Sequence, residues 1–310
     1  MKTFFIRLTS GLVVVALFIA AILYSPYTFL VVMSIILIGS LNEYFNLTES
    51  RREKSNSFFQ GKWFVILLSF IALIKAFILA SPPAQGGLDF NNYFVLVKQV
   101  LSAFHDSDIT LNATVPIIVF ILFITELYSK SEKPFENLGW KTVAIVWILV
   151  PVILTVNIYF AKGGALLLAM LFAIWMYDSF CYIFGSLLGK RKLFERISPK
   201  KTWEGAIGGA AVTLTVYYFA NKIPALQMLS SIEWVILTFV VIVSATFGDL
   251  VESLLKRNLG IKDSGSLMPG HGGFLDRLDS FYLVIPFAAI TLWMFAHIQN
   301  LLVVFEYLSN

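Results

Sequence analysis

Long apolar stretches separated by short polar ones recur along this chain of 310 residues. A helix that crosses the hydrocarbon core of a bilayer needs about 20 mostly apolar residues. Stretches of this kind predict about nine transmembrane helices. The predicted helices run approximately over residues 8–25, 27–45, 62–81, 113–129, 141–160, 164–186, 205–221, 233–250 and 280–303. The pattern therefore predicts an all-α integral membrane protein.

Two of these stretches are less regular than the others. The first follows Lys2 and Arg7, as the apolar part of a signal peptide would, but a second stretch follows at once without a clear cleavage site. We therefore expect an uncleaved anchor. The fourth, 113–129, is short for a span and follows a long connection at 82–112.

The distribution of lysine and arginine predicts the topology. If the N-terminus is cytoplasmic and the chain crosses nine times, most of the 23 basic residues fall on the cytoplasmic side. Only Lys98, Lys162 and Lys222 fall on the far side, and Lys75 lies within a span. Positively charged loops are retained in the cytoplasm. We expect a multi-pass protein of the cell (inner) membrane, with a cytoplasmic N-terminus and the C-terminus on the far side.

The composition agrees with this interpretation. Hydrophobic residues make up 58% of the chain and charged residues only 14%, too apolar a balance for one buried core with a wetted exterior. The single cysteine, Cys181, lies in an apolar stretch, which excludes a disulfide framework and a cysteine-based metal site. The sequence pI of about 9.0 follows mostly from the topology, with some attraction to anionic lipid headgroups.

Charged residues divide the chain into two regions. In residues 1–160, about five predicted spans keep their polar residues in loops, where they look like surface. In residues 161–310, charged residues and glycines enter about four predicted spans. An ionisable residue at membrane depth is costly and indicates function by default. We therefore expect an N-terminal transmembrane region followed by a catalytic one.

The sixth span contains the segment WMYDSFCYIFGSLLGKRK, with Asp178 well inside it. A hydrogen bond to a neighbouring span could account for this aspartate, but its depth favours a site. Gly185 and Gly189 have the spacing that lets two helices approach closely, and packing alone explains them.

The seventh span opens with ISPKKTWEGAIGGA. Ser198 and Pro199 are typical of a helix start, which would place Lys200, Lys201 and Thr202 in a first turn that favours anions. The alternative is a lysine pair that anchors the helix at the interface. The acidic residue and the three glycines that follow favour a site for a ligand or close contact with another helix.

The eighth span ends in SATFGDLVESLLKR. Asp249, Glu252, Ser253 and Lys256 recur at helical spacing, so one face carries two carboxylates, a hydroxyl and an ammonium. An exposed salt bridge would account for Glu252 and Lys256 alone. Asp249 lies too deep for that explanation.

A glycine-rich polar segment joins the last two spans. Gly272 and Gly273 beside His271 allow backbone N–H groups to point at an anion, although a lone histidine in a loop is often only solvated. Asp276 and Asp279 then begin the ninth span. These aspartates place further carboxylates near the same predicted membrane face.

The predicted topology puts the polar ends of the last four spans on one side of the membrane. Asp178, Lys200, Lys201, Asp249 and Asp276 can therefore converge on one cavity. Clustered carboxylates suit Mg²⁺, and clustered lysines suit phosphate. Together these groups indicate phosphoryl or nucleotidyl transfer. The common soluble phosphate loops, Walker A and GxGxxG, are absent from the sequence.

At these residues the chain resembles the phosphatidate cytidylyltransferases, also called CDP-diacylglycerol synthases. From residue 253 to 279 it contains SxLKR, four residues, KDxG, and then PxHGGxxDRxD. SPKKTWEG and YDSFCYIFGSLLGK are also similar to the family, and the likeness covers about residues 175–285. Met268 and Cys181 depart from the residues usual there, and the change at Met268 conserves volume.

The resemblance implies that CTP and phosphatidate give CDP-diacylglycerol and pyrophosphate in phospholipid biosynthesis, with Mg²⁺ required. It also implies that Asp249 and Asp276 hold the metal in a cavity that faces the cytoplasm and opens to lipid. Asp279 and Asp263 are further candidate metal ligands. The candidate catalytic residues are Asp249, Asp276, Lys201, Lys256 and Arg277. The candidates for substrate binding are Ser198, Lys200, Lys201, Thr202, Asp178, Ser253, Lys256, Arg257, Lys262, His271, Gly272 and Gly273.

The expected partners are CTP, phosphatidate and membrane lipids, without nucleic acid, and the sequence leaves open a second metal ion and a homodimer. Two other functions are compatible with the pattern. One is an enzyme that cytidylylates another membrane lipid phosphate, such as an archaeal isoprenoid glycerol phosphate. The other is an ion-coupled carrier, because buried acids in many spans also occur in transporters. The paired basic segments and the glycine-rich turn favour an enzyme.

Overall fold

The computed structural model describes residues 15–49, 59, 61–81, 107–265 and 272–309. Within these ranges the backbone is mostly helical. The helices are α1 (Val15–Tyr24), α2 (Pro26–Leu47), α3 (Lys62–Ala80), α4 (Ser107–Leu127), α5 (Pro134–Lys162), α6 (Gly164–Leu188), α7 (Trp203–Tyr218), α8 (Ser231–Leu259) and α9 (Leu275–Ser309). A π-helical turn, Ile145–Leu149, lies inside α5.

A helix occupies each stretch in which the sequence predicts a span, as far as the described residues extend. Six of them, α2, α3, α5, α6, α8 and α9, are long and apolar enough to cross a membrane. The described part of α1, the apolar part of α4 (Ala113–Leu127) and the 16-residue α7 are shorter. The helical membrane class is confirmed, whereas nine crossings and the orientation stay predictions.

Capping residues fix the ends of several helices. Ser25 caps α2, because its hydroxyl accepts from Thr28 N while Thr28 Oγ1 accepts from Ser25 N. Ser230 and Glu233 form the same reciprocal pair at the start of α8. That helix continues nine residues beyond the predicted end at 250 and stops at Gly260, whose φ of +73° favours glycine.

Two short strands occur in the otherwise helical fold. β1 (Lys192–Phe194) and β2 (Ser198–Thr202) pair antiparallel before α7. The predicted helix start at Ser198 and Pro199 is therefore wrong, and Lys200 and Lys201 are extended. The helix begins at Trp203 instead, because Thr202 caps it by accepting from Gly205 N at 3.2 Å.

Contacts divide the chain into two compact units. The first unit contains Met1–Ala161 and Asp263–Arg277, and the second contains Lys162–Lys262 and Leu278–Asn310. Each unit has its own buried apolar residues. In the first they include Met33, Leu37 and Leu73.

A buried ion pair in the first unit corrects the expectation that its polar residues are all surface. Lys141 Nζ lies 2.5 Å from Glu126 Oε1, and the two side chains are only 2% and 6% exposed. The sequence places Lys141 at the cytoplasmic border of a span. Lys141 is buried instead, and the Glu126 carboxylate on α4 compensates its charge. A buried charge is stable only when it is paired.

Glycines bring α6 and α7 into close contact in the second unit. A Cβ at Gly205 would lie 2.7 Å from the carbonyl oxygen of Cys181, and one at Gly209 would lie 2.6 Å from Cys181 Sγ. Gly208 lies against the Phe184 ring in the same way. The glycines at the start of α7 thus serve helix contact, one of the two expected roles, and Cys181 packs at this contact.

Candidate active site

A cavity of about 440 Å³ lies within the second unit. We call it the Asp249 cavity. Its walls come from α6, the hairpin, the start of α7 and α8. The residues that line it are Tyr177, Asp178, Cys181, Tyr182, Gly185, Ser186, Leu193, Lys200, Lys201, Thr202, Ala206, Thr246 and Asp249. Its volume is in the range of small-molecule sites.

An ion pair joins two elements in this cavity. Lys201 Nζ on β2 lies 2.5 Å from Asp249 Oδ2 on α8, and the side chains are 27% and 32% exposed. The other carboxylate oxygen of Asp249 accepts from Ser253 Oγ at 3.2 Å. Asp249 is therefore held on both oxygens and still open to the cavity.

Two further carboxylates interact with this ion pair. The charges of Asp178 on α6 and Asp279 on α9 both interact with the Lys201 ammonium and the Asp249 carboxylate. Asp279 can approach because Gly248 carries no side chain: a Cβ there would lie 2.7 Å from the Asp279 carbonyl oxygen. Three acids and one lysine thus form one charged cluster.

The remaining walls supply hydroxyl groups and a second cation. Tyr177 and Thr246 share a hydrogen bond of 2.7 Å between their hydroxyls. Thr202 is buried and also caps α7. Lys200 also lines the cavity, and its side chain is exposed. These groups can bind an anionic ligand of phosphate type.

The oxygen atoms in the Asp249 cavity can be compared with the ligands that the predicted Mg²⁺ requires. Within the ranges that the structure describes, no three His, Cys, Asp or Glu side chains are close enough to form a protein-only metal site. Mg²⁺ commonly uses one or two carboxylates and completes its shell with water and substrate phosphates. The oxygen donors of the Asp249 cluster fit that second arrangement.

Asp276 belongs to the first unit, where its carboxylate accepts two backbone hydrogen bonds. Its Oδ2 accepts from Ser264 N at 2.8 Å and from Gly273 N at 3.0 Å. Gly272 has φ +79°, and a Cβ there would lie 2.2 Å from the same oxygen. The Gly273 N–H thus already has an intramolecular acceptor. Metal binding by Asp276 and phosphate binding by the two glycines stay predictions.

Glu43 on α2 is the residue that sequence reasoning missed. Its carboxylate accepts from Ser264 Oγ, from Phe274 N at 2.7 Å and from Leu275 N at 3.1 Å. A carboxylate near the end of the predicted span 27–45 was the available signal. Nothing in the local pattern connects it to a segment more than 220 residues further on.

Lys256 and Glu252 correct a further expectation. They form an ion pair at 2.5 Å, but the Lys256 and Glu252 side chains are only 14% and 1% exposed, so Glu252 is buried and the pair is largely shielded from water. The other basic residues predicted for this part of the site are not buried. Arg257, Lys262 and Arg277 are exposed, as is Asp263.

The structure brings some of the predicted residues together and leaves others apart. Asp178, Lys200, Lys201, Thr202 and Asp249 line the cavity, while Ser253 and Asp279 interact with Asp249. Ser198 pairs with Phe194 in the hairpin and is not among the lining residues. His271 lies outside the described residues.

Residues 5–295 match the sequence model of the Cytidylyltransferase family. The chain belongs to this family. The match extends over both compact units of this cytidylyltransferase-family chain, well beyond residues 253–279.

Curated relatives carry a more specific name. The phosphatidate cytidylyltransferase of Bacillus subtilis (strain 168) is 33% identical over 229 residues, which cover 72% of this chain and 83% of that protein. The phosphatidate cytidylyltransferase of Staphylococcus saprophyticus is 36% identical over 179 residues, covering 56% of this chain and 66% of the relative. That of Staphylococcus aureus (strain COL) is 35% identical over 180 residues.

Proposed function

We propose that this chain is a phosphatidate cytidylyltransferase, which makes CDP-diacylglycerol and pyrophosphate from CTP and phosphatidate. The family match and the relatives named for this activity support the proposal. The single structural observation that carries it is the Lys201–Asp249 pair in a cavity with a second lysine. A cavity that combines carboxylates with lysine ammonium groups suits a metal-assisted reaction between two phosphate compounds.

The reaction displaces pyrophosphate at phosphorus. An oxygen of the phosphatidate phosphate attacks the α-phosphorus of CTP, a new P–O bond forms, and the bond from that phosphorus to the bridging oxygen of pyrophosphate breaks. The attacking oxygen is already anionic, so no general base is needed to create the nucleophile. The protein must instead hold two polyanions together and stabilise charge on the leaving group.

The cavity residues divide this work. The Lys201 and Lys200 ammonium groups bind phosphate oxygens, and the Thr202 hydroxyl donates a further hydrogen bond. Asp249, with Asp178 or Asp279, would hold Mg²⁺, which when bound neutralises phosphate charge. The Asp249 charge also orients Lys201. Asp276 is retained as a proposed metal ligand on the basis of the family resemblance of residues 253–279 alone.

The proposed setting is the cell membrane, with the Asp249 cavity on the cytoplasmic side. Six helices long and apolar enough to span a bilayer support the membrane location, and the lysine and arginine distribution supports the orientation. CTP is then available from the cytoplasm and phosphatidate from the bilayer. The mass of the protein in detergent micelles tests whether the chain forms a homodimer, which the sequence leaves open.

The test is product formation by the purified chain in detergent. With CTP, phosphatidate and Mg²⁺ we expect pyrophosphate and CDP-diacylglycerol in equal amounts, and neither when one substrate is omitted. Asp249→Asn should remove most of the activity while the protein elutes and unfolds as the wild type does. Folded wild-type protein that yields no product under these conditions would overturn the proposal.

Two outcomes would favour the other functions. Faster CTP turnover with a different lipid phosphate, such as an isoprenoid glycerol phosphate, would indicate a related enzyme with another acceptor. Solute uptake into proteoliposomes without CTP turnover would indicate a carrier.

A further inference from the structure

We propose that Glu43 is a positioning residue that holds Ser264 and the start of α9 in place and, through Ser264, orients Asp276 for the reaction. This inference rests on the proposed cytidylyltransferase activity. All of the residues involved belong to the first unit. Glu43 itself need not touch a substrate, because its carboxylate is engaged by groups of the chain.

The Glu43 carboxylate accepts three hydrogen bonds from one short segment. Two come from the Phe274 and Leu275 N–H groups at the start of α9, and the third comes from the Ser264 hydroxyl. The first N–H groups of a helix have no acceptor within the helix. A carboxylate at this end also interacts favourably with the helix dipole. Glu43 thus completes the N-terminus of the helix that carries Asp276.

Ser264 connects Glu43 to Asp276. Its hydroxyl donates to Glu43 Oε1 and accepts from Asp276 N at 3.3 Å, while its own N–H donates to Asp276 Oδ2 at 2.8 Å. The side chain of Ser264 is buried. A shift of the Glu43 carboxylate therefore changes the position of both the backbone and the side chain of Asp276.

Close packing leaves little room for another arrangement. A Cβ at Gly273 would lie 2.0 Å from Glu43 Oε1, and one at Gly39 would lie 2.4 Å from the Phe274 ring. Gly39 and Glu43 are one turn apart on α2, so the same face of the helix receives the ring and the N–H groups. The small residues at positions 39 and 273 are what allow the carboxylate to reach its donors.

The variant Glu43→Gln tests the charge and the number of acceptors. Glutamine keeps the length of the side chain but offers one acceptor oxygen to three donors. At least one donor must therefore lose its acceptor. Glu132→Gln is the matched control, because Glu132 is an exposed carboxylate of the same unit.

The first readout is amide hydrogen exchange in the metal-free protein without substrates. We expect exchange in the peptide 272–277 to become about tenfold faster in Glu43→Gln, as the loss of a charged hydrogen bond predicts. Exchange in the rest of the chain, and everywhere in Glu132→Gln, should match the wild type. Unchanged exchange in this peptide would overturn the proposed contact.

The second readout separates positioning from a merely structural role. We expect Glu43→Gln to lower kcat and to raise the Mg²⁺ concentration for half-maximal rate by about tenfold, the usual effect of disturbing a partner of a metal ligand. The KM for phosphatidate should stay at the wild-type value. Faster exchange with an unchanged kcat and unchanged Mg²⁺ dependence would overturn the functional part of the proposal.

Ser264→Ala provides an independent test if Glu43→Gln does not fold. It removes the hydroxyl that joins the two carboxylates but leaves the Glu43 contacts to the α9 backbone. The same changes in exchange and Mg²⁺ dependence are expected, and wild-type behaviour in both would overturn the proposal. Wild-type protein without activity would refute the proposed function, whereas the exchange experiment would still report on Glu43.

Discussion

Lys201 Nζ on β2 and Asp249 Oδ2 on α8 form an ion pair of 2.5 Å, although the two residues are 48 positions apart in the sequence. Both side chains keep more than a quarter of their surface exposed. An ion pair in contact with water contributes at most about 1 kcal/mol. The pair is therefore weak enough for a phosphate to take the lysine while the aspartate meets a cation.

Replacing Lys201 by Gln should lower kcat/KM for CTP by about 100-fold, the usual effect of removing one donor to a developing negative charge. Lys200→Gln should cost less than about tenfold, since an exposed lysine is screened by water and salt. Initial rates of CDP-diacylglycerol formation measure both. Lys222→Gln is the control, because Lys222 lies over the Phe219 ring outside the cavity. Equal effects of the variants at 201 and 222 would contradict the assignment.

The contact between α6 and α7 should not accept a methyl group at position 205. We expect Gly205→Ala to destabilise the protein by about 1–3 kcal/mol, because the new Cβ would overlap the Cys181 carbonyl oxygen. Thermal unfolding in detergent measures the change.

Gly139→Ala is the matched control for that substitution. A Cβ at Gly139 would meet nothing within 4 Å, and alanine favours a helix over glycine by about 1 kcal/mol. This variant should be as stable as the wild type or more stable. A lower unfolding temperature for Gly139→Ala than for Gly205→Ala would show that the contact does not limit side-chain size.

The buried pair in the first unit should be costly to break from one side. Lys141→Met leaves the Glu126 carboxylate buried without its cation, and we expect a loss of about 3–5 kcal/mol. Replacing Glu126 by Leu in the same chain should restore much of the stability, since no charge then remains buried. Unfolding temperatures of the two variants test this. A double variant less stable than Lys141→Met would contradict the prediction.

Glu204 makes the stability of the fold around the β1–β2 hairpin depend on pH. Hydrogen bonds from the Lys190 N–H, from its own N–H and from the Arg191 N–H hold the pKa of Glu204 below its ordinary value of 4.5. A lowered folded-state pKa means that the ionised carboxylate stabilises the fold above the ordinary value. That contribution is lost as the pH falls through the lowered pKa.

Wild type and Glu204→Gln should therefore differ in unfolding temperature by a constant amount at neutral pH. The difference should shrink only when the pH is brought below 4.5. A difference that disappeared near neutral pH instead would mean that another group is responsible.

Apolar length alone was enough to predict where most helices lie, because a bilayer-sized apolar run has few alternatives to a helix. Depth in the membrane also singled out Asp178 and Asp249, which the structure places in one cavity. Both predictions depend on local sequence and on the cost of burying charge. They required no knowledge of which helices pack together.

The errors concern groups whose partners are distant in the sequence or chosen by pairing. Ser198 and Pro199 are compatible with a helix start, but they form a strand because residues 198–202 pair with β1. Lys141 looks like an interfacial lysine until its partner on α4 is known. Glu43 has no local signature, because its three donors come from the far end of the chain.

The separation of Glu43 from its donors has a consequence for biosynthesis. During translation, the chain emerges with Glu43 on α2 and must add 221 residues before Ser264 exists. Most of the second unit is therefore synthesised before the first can be completed. Because domains usually form as their residues leave the ribosome, a chain arrested before residue 264 would hold this carboxylate without the serine or the α9 backbone it binds in the finished protein.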